Sequence, residues 1–206
     1  MSKKNKLVSL LVICFCLIGG TIYLYEYRIN SNIIEEVAQI KEHDIVFGDI
    51  EVQNSIIVYF NYNCSFCQKF AKEVYPKLDS AYIASKRVKV ILRLVCSIFD
   101  KKAMEAYQTV YCISEFGNLQ PLHKLLLHNN KIIYSEHFQT LIDGYINTNS
   151  NVAECVIMHE DYKKIKINIE DLNELNSQGT PTFLINKEVI KGYKTFDEFE
   201  SLLKNK

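Results

Sequence analysis

The chain has 206 residues, 48% of them hydrophobic and 23% charged, and sets 24 Lys and Arg against 24 Asp and Glu. That composition is ordinary for a globular protein able to bury a normal core, so neither a disordered chain nor a metal-stapled miniature is expected. Lys3, Lys4 and Lys6 are the only charges before Glu26, which leaves 21 basic and 24 acidic residues downstream, a balance that argues against a nucleic-acid binder.

Behind those lysines, Leu7 to Tyr25 is an uncharged, mostly apolar run of 19 residues. As a helix it would reach ~28 Å, about one hydrocarbon core. Lysines ahead of such a run favour a cytoplasmic N-terminus and an exported remainder. A retained anchor and a cleaved signal peptide both fit: Gly19 and Gly20 permit cleavage, although no A-x-A-like site follows. Either places the domain where disulfides persist. The expected layout is an anchor or signal segment over 1–25, a linker with a short helix over 26–43, and one domain over 44–206. Asn32 and Glu35 form a partial capping box for that short helix, drawn over 30–43.

Asp44 to Asp49 reads as a short strand broken by Gly48. Ile56 to Phe60 is a continuous β-forming run, a strand buried on both faces. A turn at Asn61-Tyr62-Asn63 leads into Cys64-Ser65-Phe66-Cys67. Then Phe66, Phe70, Val74 and Leu78 recur every fourth residue, one face of a helix that runs to about Ser85 with a kink at Pro76. Val88 to Val95 is a second buried strand. From 100 to 177 the pattern is helical, with segments near 100–116, 119–129, 134–147, 151–158 and 160–176. Thr182–Ile185 and Glu188–Ile190 form a hairpin across Asn186-Lys187, and a closing helix spans about 195–204. Strand, helix, strand is a βαβ start, so the first two long strands should be parallel with a right-handed crossover.

Chemistry concentrates at Cys64 and Cys67. A helix start offers unpaired N–H groups and partial positive charge, which lower the pKa of a thiol placed there. Two intervening residues let the sulfurs meet within one turn, so Cys64 is the expected nucleophile and Cys67 the resolving thiol. Zinc would need a second Cys/His pair at short spacing, and none follows. Thr180-Pro181 is the second element: with a CxxC upstream and an apolar strand behind it, a cis bond is expected, with Thr180 presenting its backbone to a peptide. Ser65, Phe66, Thr180 and Pro181 are the candidate substrate-contact residues.

IIVYFNYNCSFCQKF at 56–70, VKVILRLV at 88–95, the helical block and GTPTFLIN at 179–186 together resemble the DsbA-like branch of the thioredoxin superfamily, over roughly residues 45–204. The resemblance implies an α/β thioredoxin fold with a helical domain inserted at about 99–177. It also implies a protein disulfide oxidase acting on reduced or unfolded exported proteins outside the cytoplasm, recycled by a membrane redox partner and needing no bound cofactor. Similar proteins sometimes bridge two insertion helices, which here would join Cys112 to Cys155; two buried thiols are the other reading. Cys96 reads as a buried thiol.

Two departures stand out. Val58 occupies a strand position that often carries an acid in this branch, and Ser65-Phe66 lacks a histidine. The first argues against carboxylate-assisted proton transfer from Cys67, and the second points to a couple less oxidising than the strongest relatives. A disulfide reductase or isomerase, a thioredoxin-fold adaptor and a Cu(I) metallochaperone remain the alternatives.

Overall fold

The structure, a computed structural model, describes residues 3–158 and 162–204; its side chains are described from Ile13 onward, except those of Cys14 and Asn130. The chain divides into two units, residues 1–39 and 40–206.

The first unit is a single helix, α1 (Lys3–Val37). The expected break before a separate 30–43 helix is absent: α1 runs through Asn32 and ends at Val37, so Asn32 caps nothing. No Gly or Pro lies between 26 and 37, and an interior Asn costs a helix only a few tenths of a kcal/mol. Among the described residues no helix is long and apolar enough to cross a membrane. The part of the expected membrane segment at residues 7–12 and Cys14 lies outside the described side chains, and Met1 and Ser2 outside the described residues.

The second unit is built on a five-stranded sheet of order β1-β3-β2-β4-β5, with β1 Ile45–Phe47, β2 Ser55–Phe60, β3 Lys89–Leu94, β4 Thr182–Ile185 and β5 Glu188–Lys191. β2 and β3 are parallel, as the βαβ pattern requires, and the other pairs are antiparallel. β1 stops at Gly48, whose φ of +101° suits glycine; a Cβ there would meet the Ile83 side chain at 2.8 Å. Asn186 and Lys187 both have positive φ, the two-residue turn that matches the hairpin's twist.

The crossover helix is not one regular rod. α2 (Ser65–Lys69) and α3 (Tyr75–Leu78) are joined by a π turn at Phe70–Val74, and a second π turn, Asp79–Ile83, follows. Pro76 sits in the first turn of α3 and has no N–H to give, so the backbone widens there rather than simply bending. Phe70, Val74 and Leu78 still face the core. Phe70, Phe183 and Phe199 meet ring to ring at 4.9–5.6 Å, which docks α9 (Phe196–Lys204) against β4.

Between β3 and β4 lie α4 (Lys101–Phe116), α5 (Leu119–His128), a 3₁₀ turn (Asn130–Tyr134), α6 (Glu136–Thr148), α7 (Ser150–Met158) and α8 (Lys163–Glu174). The predicted last helix of this block began at 160, and its first two residues lie outside the described ones. Asp100, Asn118 and Ser135 cap α4, α5 and α6 through their side chains. Cys112 and Cys155 form a disulfide between α4 and α7, with Cα atoms 5.7 Å apart.

On the sheet face toward α8, a buried ionic cluster closes the fold. Arg93 grips Asp44 with two bonds of 2.8 and 2.9 Å and reaches Tyr59 at 3.1 Å and Asp171 at 3.3 Å. Lys41 joins from the rim, 2.5 Å from Asp171. Burial disfavours the Arg93 charge, but Asp44 and Tyr59 more than offset it.

Candidate active site

The parallel strands β2 and β3 end side by side, and Val95 N–H donates to Phe60 O at 2.9 Å to extend the pairing. The turn after β2 therefore opens at the sheet's end. Cys64 N–H donates to Asn61 O at 3.0 Å, and Asn63 N–H donates to the Asn61 side-chain carbonyl at 2.8 Å. This doubly bonded turn delivers Cys64 in extended backbone as the residue capping α2.

Cys64 is partly exposed and Cys67 fully buried. The Cys64 thiol is lowered to about 5, chiefly by a hydrogen bond from Cys67; partial burial opposes this, while the Thr180 side chain and the N–H groups of Cys67 and Phe66 reinforce it. Cys67 moves the other way: burial pushes its thiol well up, the neighbouring Cys64 adds to that, and the Asn61 N–H opposes it. That N–H lies 3.5 Å from Cys67 Sγ. The two sulfurs thus differ sharply, Cys64 shifted down and Cys67 shifted up.

Thr180-Pro181 is cis. It faces the pair: Cys64 Sγ, as a thiol, donates to Thr180 O at 3.1 Å. The Thr182 hydroxyl ties the loop by donating to Gly179 O at 2.7 Å and meets the Ser177 hydroxyl at 2.7 Å. The structure brings Cys64, Cys67 and Thr180 together, and Phe66 stands 58% exposed beside them. The predicted insertion cysteines are remote in role: they are bonded to each other. Cys96, read as buried, is only half-buried, and its thiol is raised to about 12 by burial with help from Asp100. A cavity of about 750 Å³ lies within the insertion, lined by Tyr134, Phe138, Ile142 and Tyr162 among others.

Some residues near the site escaped the sequence reading. Ile98 and Phe99, 59% and 91% exposed, sit just past the end of β3. Two large apolar residues in a short loop before the Asp100 cap were the available signal. Asn61, Tyr107 and Tyr134 hold the turn before Cys64, and nothing in local sequence links them.

A thioredoxin-type sheet with a CxxC at its first crossover helix, a cis-proline loop opposite and helices inserted between β3 and β4 defines the class. The family model described as Thioredoxin matches residues 41–205, and the chain belongs to that family. A Rickettsia typhi protein named for protein-disulfide oxidoreductase activity is 21% identical over 183 residues, which cover 82% of this chain. The chain spans 64% of that relative's length. The structure is similar to Wolbachia pipientis α-DsbA1, with TM-score 0.66 and 21% identity over 82% of this chain and 92% of that one. It is also similar to a linker-deleted N6K mutant of Proteus mirabilis ScsC, with TM-score 0.68 and 17% identity over 99% and 95%. These solved structures bear on the fold alone, a thioredoxin fold with helices inserted between β3 and β4.

Proposed function

We propose that the protein is an extracytoplasmic thiol:disulfide oxidoreductase that oxidises dithiols in exported proteins. The observation that carries this reading is the divided pair: Cys64 at a helix start, partly exposed and 3.1 Å from the carbonyl of the cis-proline loop, backed by the fully buried Cys67. In the oxidising direction, a substrate thiolate attacks Cys64 Sγ of the Cys64–Cys67 disulfide. Cys67 leaves with the electron pair and takes a proton, as its burial demands. A second substrate thiolate then attacks the substrate sulfur of the mixed disulfide and releases Cys64 as thiolate. Two electrons pass to the protein, and a membrane redox partner must remove them.

Ser65, Phe66 and Thr180, with the exposed Ile98 and Phe99, form the proposed contact surface for unfolded chain, while the predicted contact residue Pro181 is buried and shapes the loop that presents Thr180. Residues 7–25 are the proposed membrane anchor or export signal. The Cys64 value falls between about 3.5 for the strongest oxidants of this superfamily and about 7 for thioredoxin, so an intermediate potential is expected.

Equilibrating the Cys64–Cys67 couple with glutathione buffers, read by mass after acid quench, tests the reading. A potential well above the glutathione poise supports the oxidase; one near thioredoxin's would turn the reading to a reductase. Cys67→Ala should accumulate a mixed disulfide with an unfolded substrate that carries a disulfide, Cys64 attacking one substrate sulfur while the other leaves as thiolate, and its failure to do so would remove Cys64 from the nucleophile's role.

A further inference from the structure

Three residues separate β2 from Cys64, and a side chain of the insertion holds each one. Tyr107 of α4, fully buried, accepts the Tyr62 N–H at 2.9 Å and donates to the Asn61 side-chain carbonyl at 2.7 Å. His123 of α5 bonds the Tyr62 hydroxyl at 2.7 Å. Tyr134 of the 3₁₀ turn accepts from the Asn63 amide at 2.5 Å and donates to Asp100 at 2.6 Å. The turn in turn aims the Asn61 N–H at Cys67 Sγ and the Asn61 carbonyl at the Cys64 N–H.

We propose that Tyr107 is a positioning residue for the thiol chemistry: through its hydroxyl the helical insertion holds the Asn61–Asn63 turn and sets how strongly the Cys64–Cys67 pair oxidises. The inference rests on the oxidoreductase reading and extends it to a residue that touches neither sulfur. The physical reason is selective. When substrate attacks Cys64, negative charge develops on Cys67 Sγ, and the Asn61 N–H is aimed at it before the reaction begins. Once reduced, the pair keeps its thiolate among N–H groups whose direction the turn fixes. The disulfide carries no such charge, so loosening the turn penalises the reduced form more than the oxidised one. Removing the Tyr107 hydroxyl leaves the Tyr62 N–H without its acceptor in a buried place, which gives the turn reason to move.

The test uses the full chain, equilibrated with glutathione, in four forms: wild type, Tyr107→Phe, Tyr134→Phe and Tyr111→Phe. Tyr111 lies one helical turn along α4, equally buried, and bonds Leu94 N–H at 2.8 Å and the Asn168 amide at 2.7 Å rather than the turn. It therefore reports lost stability without lost positioning. Tyr107→Phe should shift the equilibrium toward the protein disulfide by about three- to tenfold, the worth of one hydrogen bond. The midpoint of the Cys64 thiolate absorbance should rise with it. Tyr134→Phe should move both in the same direction by less, and Tyr111→Phe should lower the unfolding temperature while moving neither. If Tyr107→Phe does not fold, the partly exposed Tyr134 carries the test alone. Wild-type values in both turn-holding variants, or an equal shift in Tyr111→Phe, overturn the proposal. A wild-type protein that does not exchange with glutathione at all would instead sink the oxidoreductase reading.

Discussion

Two neighbouring pairs on β2 and β3 face opposite ways and solve opposite problems. Val58 stands opposite Leu92, and Tyr59 opposite Arg93. The Tyr59–Arg93 side carries full charges shut away from water and matched by Asp44 and Asp171. The Val58–Leu92 side, packed under the helix that bears the thiols, borders a small cavity of about 20 Å³ lined by Phe60, Phe70 and Ala71. His123 on that cavity is lowered to about 4 by burial, so it is neutral at ordinary pH. Charge holds segments together on one face; on the other, burial raises the Cys67 thiol. The lesson is that a buried charge serves anchoring where its partners are fixed, whereas the pKa values of the Cys64 and Cys67 thiols are set by burial, by each other and by a few backbone N–H groups.

The comparison can be broken most forcefully on the charged face. Arg93→Ala should cost about 3–5 kcal/mol, because Asp44 is left buried and unpaired. Chemical denaturation would measure it, and a loss under 1 kcal/mol would mean that water reaches the cluster. The insertion offers the next effect. Cys112→Ala with Cys155→Ala removes a crosslink spanning 43 residues, worth up to about 4 kcal/mol in the chain-entropy picture. The glutathione equilibrium of Cys64–Cys67 should stay put while stability falls.

On the apolar face, Val58→Glu should lower stability by about 1–3 kcal/mol, the usual cost of an uncompensated buried polar group. It should also speed proton transfer at Cys67, read as faster resolution of a mixed disulfide. An unchanged resolution rate would show that a carboxyl there does not reach the sulfur.

The pH response follows from the divided thiols. Cys64 is depressed from the usual value of about 8.5 to about 5, so its contribution to the reduced form is fully present above 8.5 and is lost as pH falls through 5. Cys67 is raised, so it costs the reduced form stability as pH climbs above 8.5. The unfolding temperature of the reduced protein, less that of the oxidised, should rise from pH 5 and turn over above 8.5; a flat profile would contradict the lowered Cys64. Smallest of all, Lys41→Ala at the partly open rim should cost no more than about 1 kcal/mol, since Arg93 still faces Asp171.

Much of the frame was legible in local pattern. Continuous apolar runs marked β2 and β3 because strands covered on both faces need them, and fourfold recurrence of Phe66, Phe70, Val74 and Leu78 marked the crossover helix. The π turns around Pro76 were not legible, since a missing N–H can be absorbed by a kink or by a wider turn. The division between α1 and the next helix was drawn where Asn32 resembled a cap, but capping chemistry only acts where the backbone already turns. Arg93 inside a strand gave no sign of its partners, which come from residues 44 and 171, far off in the chain.

The sequence by itself determined the two cysteines at a helix start, the proline loop, the strand order of a βαβ opening and the helical block that follows β3, all of which are written in short-range spacing. Only the tertiary structure decided that Cys64 lies 3.1 Å from Thr180, that Cys112 meets Cys155, and that Asn61, Tyr62 and Asn63 are each held from the insertion. Those are meetings of residues between 43 and 116 positions apart, and distance along the chain carries no record of which side chains packing will bring within hydrogen-bond reach.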